Sequence, residues 1–127
     1  MNITKQQVAR ALALPLGWRR RLASMEGPGW WADMLGDEPG TSAIRDGPTN
    51  TEFRLRRGQV YLPADRLCWL EAACAGGRWW ERYGGHFTIM RPPSGAPDDM
   101  GDLLIMDSCP IDAALAYMES HEPPKEV

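Results

Sequence analysis

At 127 residues, with 43% hydrophobic and 24% charged side chains, the chain has the size and balance of one domain that builds a core without disulfides or metal. A net charge of −3 and a pI near 5.3 exclude the dominant basic field of a dedicated nucleic-acid binder. No apolar run reaches the length of a membrane span, no signal-peptide pattern opens the chain, and three Cys make no disulfide framework, so a reduced cytoplasmic protein is expected.

In chain order, Thr4-Lys5-Gln6-Gln7 is a capping box, with Thr as the cap and Gln reaching back from three residues on. The helix it opens carries Val8, Ala11 and Leu12 on one face and stops at Pro15, which has no N–H to continue the ladder. Trp18 to Met25 predicts a second short helix, basic on one side and packed through Leu22 and Met25. Residues 26–50, rich in Gly, Pro, Asp and Thr, read as a long loop with one helical turn around Trp30-Trp31-Ala32-Asp33-Met34-Leu35. Thr51 to Leu62 then fits a hairpin turning at Arg57-Gly58. That register pairs Leu55 with Val60 and Phe53 with Leu62 on one face, and Arg54 with Tyr61 on the other.

Pro63 to Gly77 reads as the central core helix. Pro63 suits a first turn, Asp65 complements the helix dipole, and Gly76-Gly77 closes the last turn. Leu67, Leu70 and Cys74 share one face, and Trp69, Ala72 and Ala73 widen it until most sides require cover. Next, Arg78 to Tyr83 and His86 to Arg91 flank Gly84-Gly85 as a second hairpin, which sets Trp80 against Ile89, Arg82 against Phe87 and Trp79 against Met90. Residues 92–101 form an acidic loop. Asp102 to Asp107, with Leu103, Leu104, Ile105 and Met106 in succession, predicts a strand covered on both faces. Ser108 caps a last helix with Pro110 in its first turn and Leu115 and Met118 inward, and residues 122–127 form a tail. The expected architecture is a single α+β domain over residues 1–127. An antiparallel sheet of about five strands (two hairpins plus a buried strand) packs on the central helix, with a basic helical pair at 1–25 and a C-terminal helix.

Three chemistries compete on these elements. Cys109 lies where a strand hands over to a helix, and a helix N-terminus favours the thiolate; with His86 as base and Asp107 or Asp112 as orienter it is the candidate nucleophile of a Cys-dependent hydrolase. The same position suits a small apolar residue, and Asp107 beside it opposes the thiolate. No metal or cofactor is expected: Cys68 and Cys74 do not share a helix face, and no His-Glu-x-x-His or Cys-x-x-Cys occurs.

Residues Thr4 to Leu14 resemble the first helix of a helix-turn-helix protein, and Trp18-Arg19-Arg20-Arg21 follows where a recognition helix would begin. The resemblance implies a DNA-binding transcriptional regulator working through residues 4–22, with Lys5, Arg19, Arg20 and Arg21 on nucleic acid. Pro15 and Gly17 depart from the usual turn, and Arg19 stands where an inward apolar residue belongs.

Protein binding accounts for most of the composition. Six Trp are more than this core requires, and exposed Trp is a frequent interface anchor. Residues 1–25 carry +5 and residues 92–127 carry −7, which suits steering between charged partners. Arg outnumbers Lys 12 to 2, a bias typical of GC-rich bacterial or phage genomes. The expectation is a non-enzymatic inhibitor or adaptor of bacterial or phage origin, docking on a protein or nucleoprotein partner. Trp30 and Trp31 are its expected anchors and Arg54, Arg56 and Tyr61 its charged patch. In size and style it is similar to anti-defence antagonists of the anti-CRISPR kind.

Overall fold

The computed structural model describes residues 3–45 and 50–124; the end of the expected loop (46–49) and of the tail (125–127) lies outside the described residues. Thr4 caps α1 (Lys5–Leu12) reciprocally: its hydroxyl accepts from the Gln7 amide at 3.1 Å, and the Gln7 side chain accepts from the Thr4 amide at 3.0 Å. α2 (Leu16–Ala23) starts directly after Pro15 and buries Trp18, Leu22 and Ala23. The Trp18 indole donates to the His121 carbonyl at 2.8 Å and meets the Tyr117 ring edge-on at 6.0 Å, tying the first helices to the last.

Residues 26–50 are not a loop with a helical turn. They hold an antiparallel hairpin of β1 (Gly29–Leu35) and β2 (Glu38–Ile44), and Gly36, at φ 70°, takes the left-handed turn position. Successive strand residues point to opposite faces. Ala32 therefore enters the main core while Trp31 enters a smaller cluster behind the sheet, with Ala23, Leu55 and Tyr61. Both faces near the Trp pair are covered, so no polar alternation marks the strand.

The hairpin expected at Arg57-Gly58 is also absent. Thr51–Arg56 is a helix, α3, closed by Gly58 at φ 86°, whose N–H donates to the Leu55 carbonyl at 3.1 Å. β3 (Val60–Pro63) pairs instead with β1, setting Tyr61 beside Trp31 and Leu62 beside Trp30. All four β3 residues are buried. A strand buried on both faces gains more from a remote partner inside the core than from its sequence neighbour at the surface.

α4 (Arg66–Ala73) is shorter than Pro63 to Gly77. Asp65 is its N-cap, accepting from the Leu67 amide at 2.9 Å. Trp69, Leu70, Ala72 and Ala73 are buried, and the Trp69 indole donates to the Pro63 carbonyl at 3.1 Å. Leu67 is 41% exposed, so the helix is covered on one broad face and not all round. β4 (Trp79–Tyr83) and β5 (His86–Arg91) form the expected hairpin in the expected register.

β6 (Asp102–Asp107) pairs with β5 and ends the sheet, and it is not covered on both faces: Leu103 and Met106 face solvent. A bulge opposite Ile89 and Met90 absorbs one residue of its apolar run. α5 (Pro110–Ser120) has Cys109, not Ser108, at its N-cap, is the most buried helix and packs along α4, with Ala113, Ala114 and Leu115 fully buried. Among the described residues the chain is therefore α+β with five helices and two three-stranded antiparallel sheets, β2-β1-β3 and β4-β5-β6, in place of one five-stranded sheet. The main core lies among α1, α2, α4, α5 and the inner faces of both sheets.

Candidate functional site

The five residues expected at a partner do not share one open surface. Trp31 and Tyr61 are both 0% exposed, with ring centroids 5.7 Å apart. The Tyr61 hydroxyl donates to the Gly27 carbonyl at 2.7 Å, and the Arg45 guanidinium lies 4.3 Å over the Tyr61 ring while donating to the Ala23 carbonyl at 2.8 Å. Arg54 lies 5.7 Å over Trp31 and donates to the Gln59 side chain at 3.2 Å. This is a small aromatic core lidded by two guanidinium groups. Trp30 is half-buried; Arg56 is turned to solvent, 3.9 Å from Glu52 on the next turn of α3.

The basic N-terminal residues are engaged within the fold. The Arg19 guanidinium donates to the carbonyls of Leu14, Leu55 and Gln59 at 3.1, 3.0 and 3.1 Å, joining the chain after α1 to the end of α3. Burial, with Arg20 adding, holds its pKa below the ordinary arginine value. Arg20 grips Glu52 with two donors at 3.0 and 3.2 Å, Arg21 donates to the Ala72 and Glu71 carbonyls, and Lys5 pairs with Glu38 at 3.1 Å. An arginine at the inward helix position, odd for a DNA-reading motif, is here a half-buried clasp on the carbonyls of Leu14, Leu55 and Gln59.

Among the described residues no chain of hydrogen bonds runs from Cys109 through His86 to an acid. The Asp107 carboxylate accepts from the Cys109 backbone amide at 3.0 Å, and the Cys109 sulfur faces the Gln7 amide nitrogen at 3.7 Å. Asp112 accepts from Gln7 at 3.0 Å and from Arg10 at 3.2 Å. His86 is exposed at the tip of the β4–β5 hairpin, and among the described residues no hydrogen bond links it to Cys109 or Asp107. A cleft of about 590 Å³ opens before Cys109, lined also by Asp65, Arg66, Leu67, Arg82 and Phe87. The other two thiols, Cys68 and Cys74, lie on and just after α4. Burial, with Glu71 adding, pushes Cys74 up to about 12, and burial followed by Asp65 and Glu71 raises Cys68. A thiol at that value has a thiolate fraction about a thousandfold below an ordinary one near pH 8. Iodoacetamide is therefore expected to label Cys74 far more slowly in the native protein than after denaturation, as read by peptide mass spectrometry; native labelling at the rate of a free thiol would contradict its half-buried setting.

What the sequence reading missed lies on the other sheet. Trp79 pairs with Met90 and Met90 with Leu103; Glu81 pairs with Thr88 and Thr88 with Met106; Tyr83 pairs with His86. Residues opposite one another share a face. Trp79, Tyr83, Leu103 and Met106 are exposed by 41%, 78%, 55% and 57%, while Trp80, Phe87, Ile89 and Ile105 turn to the core. The register of the hairpin is legible in the sequence, and the alternation Trp79, Glu81, Tyr83 was the available signal. Beside this face the loop 92–101 is fastened down. Arg91 donates to Asp99 at 3.1 and 2.8 Å and to Asp102 at 2.7 Å, and Asp99 also accepts from the amides of Ser94 and Gly101. Arg91 first, then Ser94 and Gly101, hold the Asp99 carboxyl well below the usual carboxylate range.

Among the described residues no helix is long and apolar enough to cross a membrane, and no group of three or more His, Cys, Asp or Glu is placed to hold a metal ion. Fold and surface define an α+β chain with one sheet whose strand β3 is buried throughout and whose strand β2 is largely exposed, and one sheet open on its outer face. Compared with protein families, curated proteins and solved structures, the chain matches none.

Proposed function

We propose that this chain is a non-enzymatic binding protein, an inhibitor or adaptor of bacterial or phage origin, that docks on a protein partner through the outer face of β4-β5-β6. The observation that carries the reading is the exposure of Trp79, Tyr83, Leu103 and Met106 on one sheet face. Fully burying one large apolar side chain is worth roughly 1.5–3 kcal/mol, so a partner covering this group gains several kcal/mol that water does not return. Aromatic and Met side chains at the centre with charges around them is also the composition of interface cores. Cytoplasmic anti-defence antagonism remains the biological form of this proposal. The regulator reading has less support because Arg19, Arg20 and Arg21 bond within the fold. The hydrolase reading has less support because Asp107 caps Cys109 and His86 makes no bond to either.

The test is capture from a bacterial lysate by the immobilised protein, compared with the triple variant Tyr83→Ser, Leu103→Ser, Met106→Ser and with the double variant Trp30→Ala, Arg56→Ala. The expected result is a specific partner retained by the double variant and lost with the triple one, both variants giving native circular dichroism. A partner held equally by the triple variant would refute this face as the docking site.

A further inference from the structure

The outer face has an edge. Among the described residues β6 pairs only with β5, so its other side presents unpaired backbone N–H and C=O groups along the run Leu103-Leu104-Ile105-Met106. Such an edge is a template for another strand. Its ends are acidic: Asp102 and Asp107 bracket the apolar run, and Asp98 and Asp99 lie in the adjoining loop. Arg91 sits between Asp99 and Asp102 and offsets one of the two charges. Arg10, which also feels Asp107, is engaged by Glu119 at 2.6 Å and Asp112 at 3.2 Å.

We propose that β6 accepts a fourth strand for its sheet, an extended segment of a partner protein that is apolar in the middle and carries Arg or Lys at both ends, lying antiparallel to β6. The proposal rests on the binding-protein reading above and names how the partner would engage. Main-chain hydrogen bonds supply the attachment and the alternate side chains supply the selection. Apolar residues of the incoming strand opposite Leu103 and Met106 continue the exposed face, while basic residues opposite Asp102 and Asp107 match the charged ends. A second copy of this chain does not fit. Antiparallel pairing of β6 with itself, centred between Leu104 and Ile105, sets Asp102 opposite Asp107 of the copy at both ends, and parallel pairing aligns the same acids. Like charges directly opposite destabilise a strand pair. The two acids that refuse self-pairing are the ones that select a basic-ended strand. β4, the other edge, carries Glu81 and Arg82 in its middle and has no such selectivity.

The test is an amide NMR titration of the full chain with three synthetic peptides. The first has Arg at both ends, at the separation of Asp102 and Asp107, with alternating Val and Thr between them. The second has Glu in place of both Arg. The third keeps the Arg and places Pro mid-strand, which removes a ladder donor. The expected result is binding of the first with slowed hydrogen exchange confined to β6, weakening with salt, and binding of the second and third weaker by about tenfold or more. Asp102→Lys should shift the preference towards the acid-ended peptide, with retained β5 amide shifts reporting an intact sheet. Equal binding of the first two peptides, binding that leaves β6 exchange unchanged, or β6 protection that rises with protein concentration alone would each overturn the proposal, the last in favour of a second copy. If no peptide binds while the outer-face variant still loses its captured partner, strand addition falls and the binding-protein reading stands. If neither effect is seen, both fall.

Discussion

Replacing Trp31 by Ala is expected to destabilise the protein by about 3–5 kcal/mol, the cost of removing a fully buried large aromatic. Trp31 is sealed between Ala23, Leu55 and Tyr61 with Arg54 over its ring, so truncation leaves a cavity and strips a cation–π contact. A domain of this size has a total stability of roughly 5–15 kcal/mol, so a loss of that order moves the urea midpoint by a large fraction of its value. Trp31→Phe is expected to recover part of the loss, and Trp30→Ala, at a half-buried site, to cost less. An exposed docking anchor would behave oppositely, with the midpoint unchanged and only binding lost. Equilibrium urea unfolding followed by circular dichroism distinguishes the two, and an unchanged midpoint for Trp31→Ala would refute the sealed aromatic cluster.

Arg19→Ala is expected to cost about 2–3 kcal/mol, because three carbonyls from two parts of the chain lose a charged donor at once. Arg19→Lys keeps the charge without the planar fork, and an ammonium on a flexible stem does not hold the three acceptors together, so it should restore only part of the stability. Arg56→Ala, on an exposed pair with Glu52, should stay within about 0.5 kcal/mol of wild type. If the basic segment were instead a solvated phosphate-binding face, Arg19→Ala would leave the unfolding midpoint alone. The same urea experiment on the three variants decides it.

The misread loop at 26–50 and the misread hairpin at 51–62 have one cause. Thr51 to Leu62 contains a register that sorts apolar from polar side chains, and taken alone it reads as a hairpin. What defeats it is β1, about thirty residues away in sequence, which offers β3 a buried partner and leaves Thr51 to Arg56 free to wind into a helix. β1 was itself hidden, since Trp31 and Ala32 face two different covered sides and show neither a helical nor a strand period. The candidate site failed with it: of a Trp pair read as spare, Trp31 is sealed in a core cluster and Trp30 is half-buried. Cys109 and its acidic neighbour were legible as a strand-to-helix junction, and the cap that the Asp107 side chain makes there is local chemistry. That His86 makes no hydrogen bond to that junction among the described residues was not legible.

Local chemistry written in the sequence determined the capping box at Thr4, the end of the first helix before Pro15 and the register of β4 with β5. Each of these depends on groups close together in the chain, and here no distant element competes for them. The tertiary structure alone decided that there are two sheets, that Trp31 and Tyr61 are sealed while Trp79 and Tyr83 are open, and that β6 is an edge. An apolar side chain carries no mark of whether another element will cover it, because burial is a property of the whole packed chain.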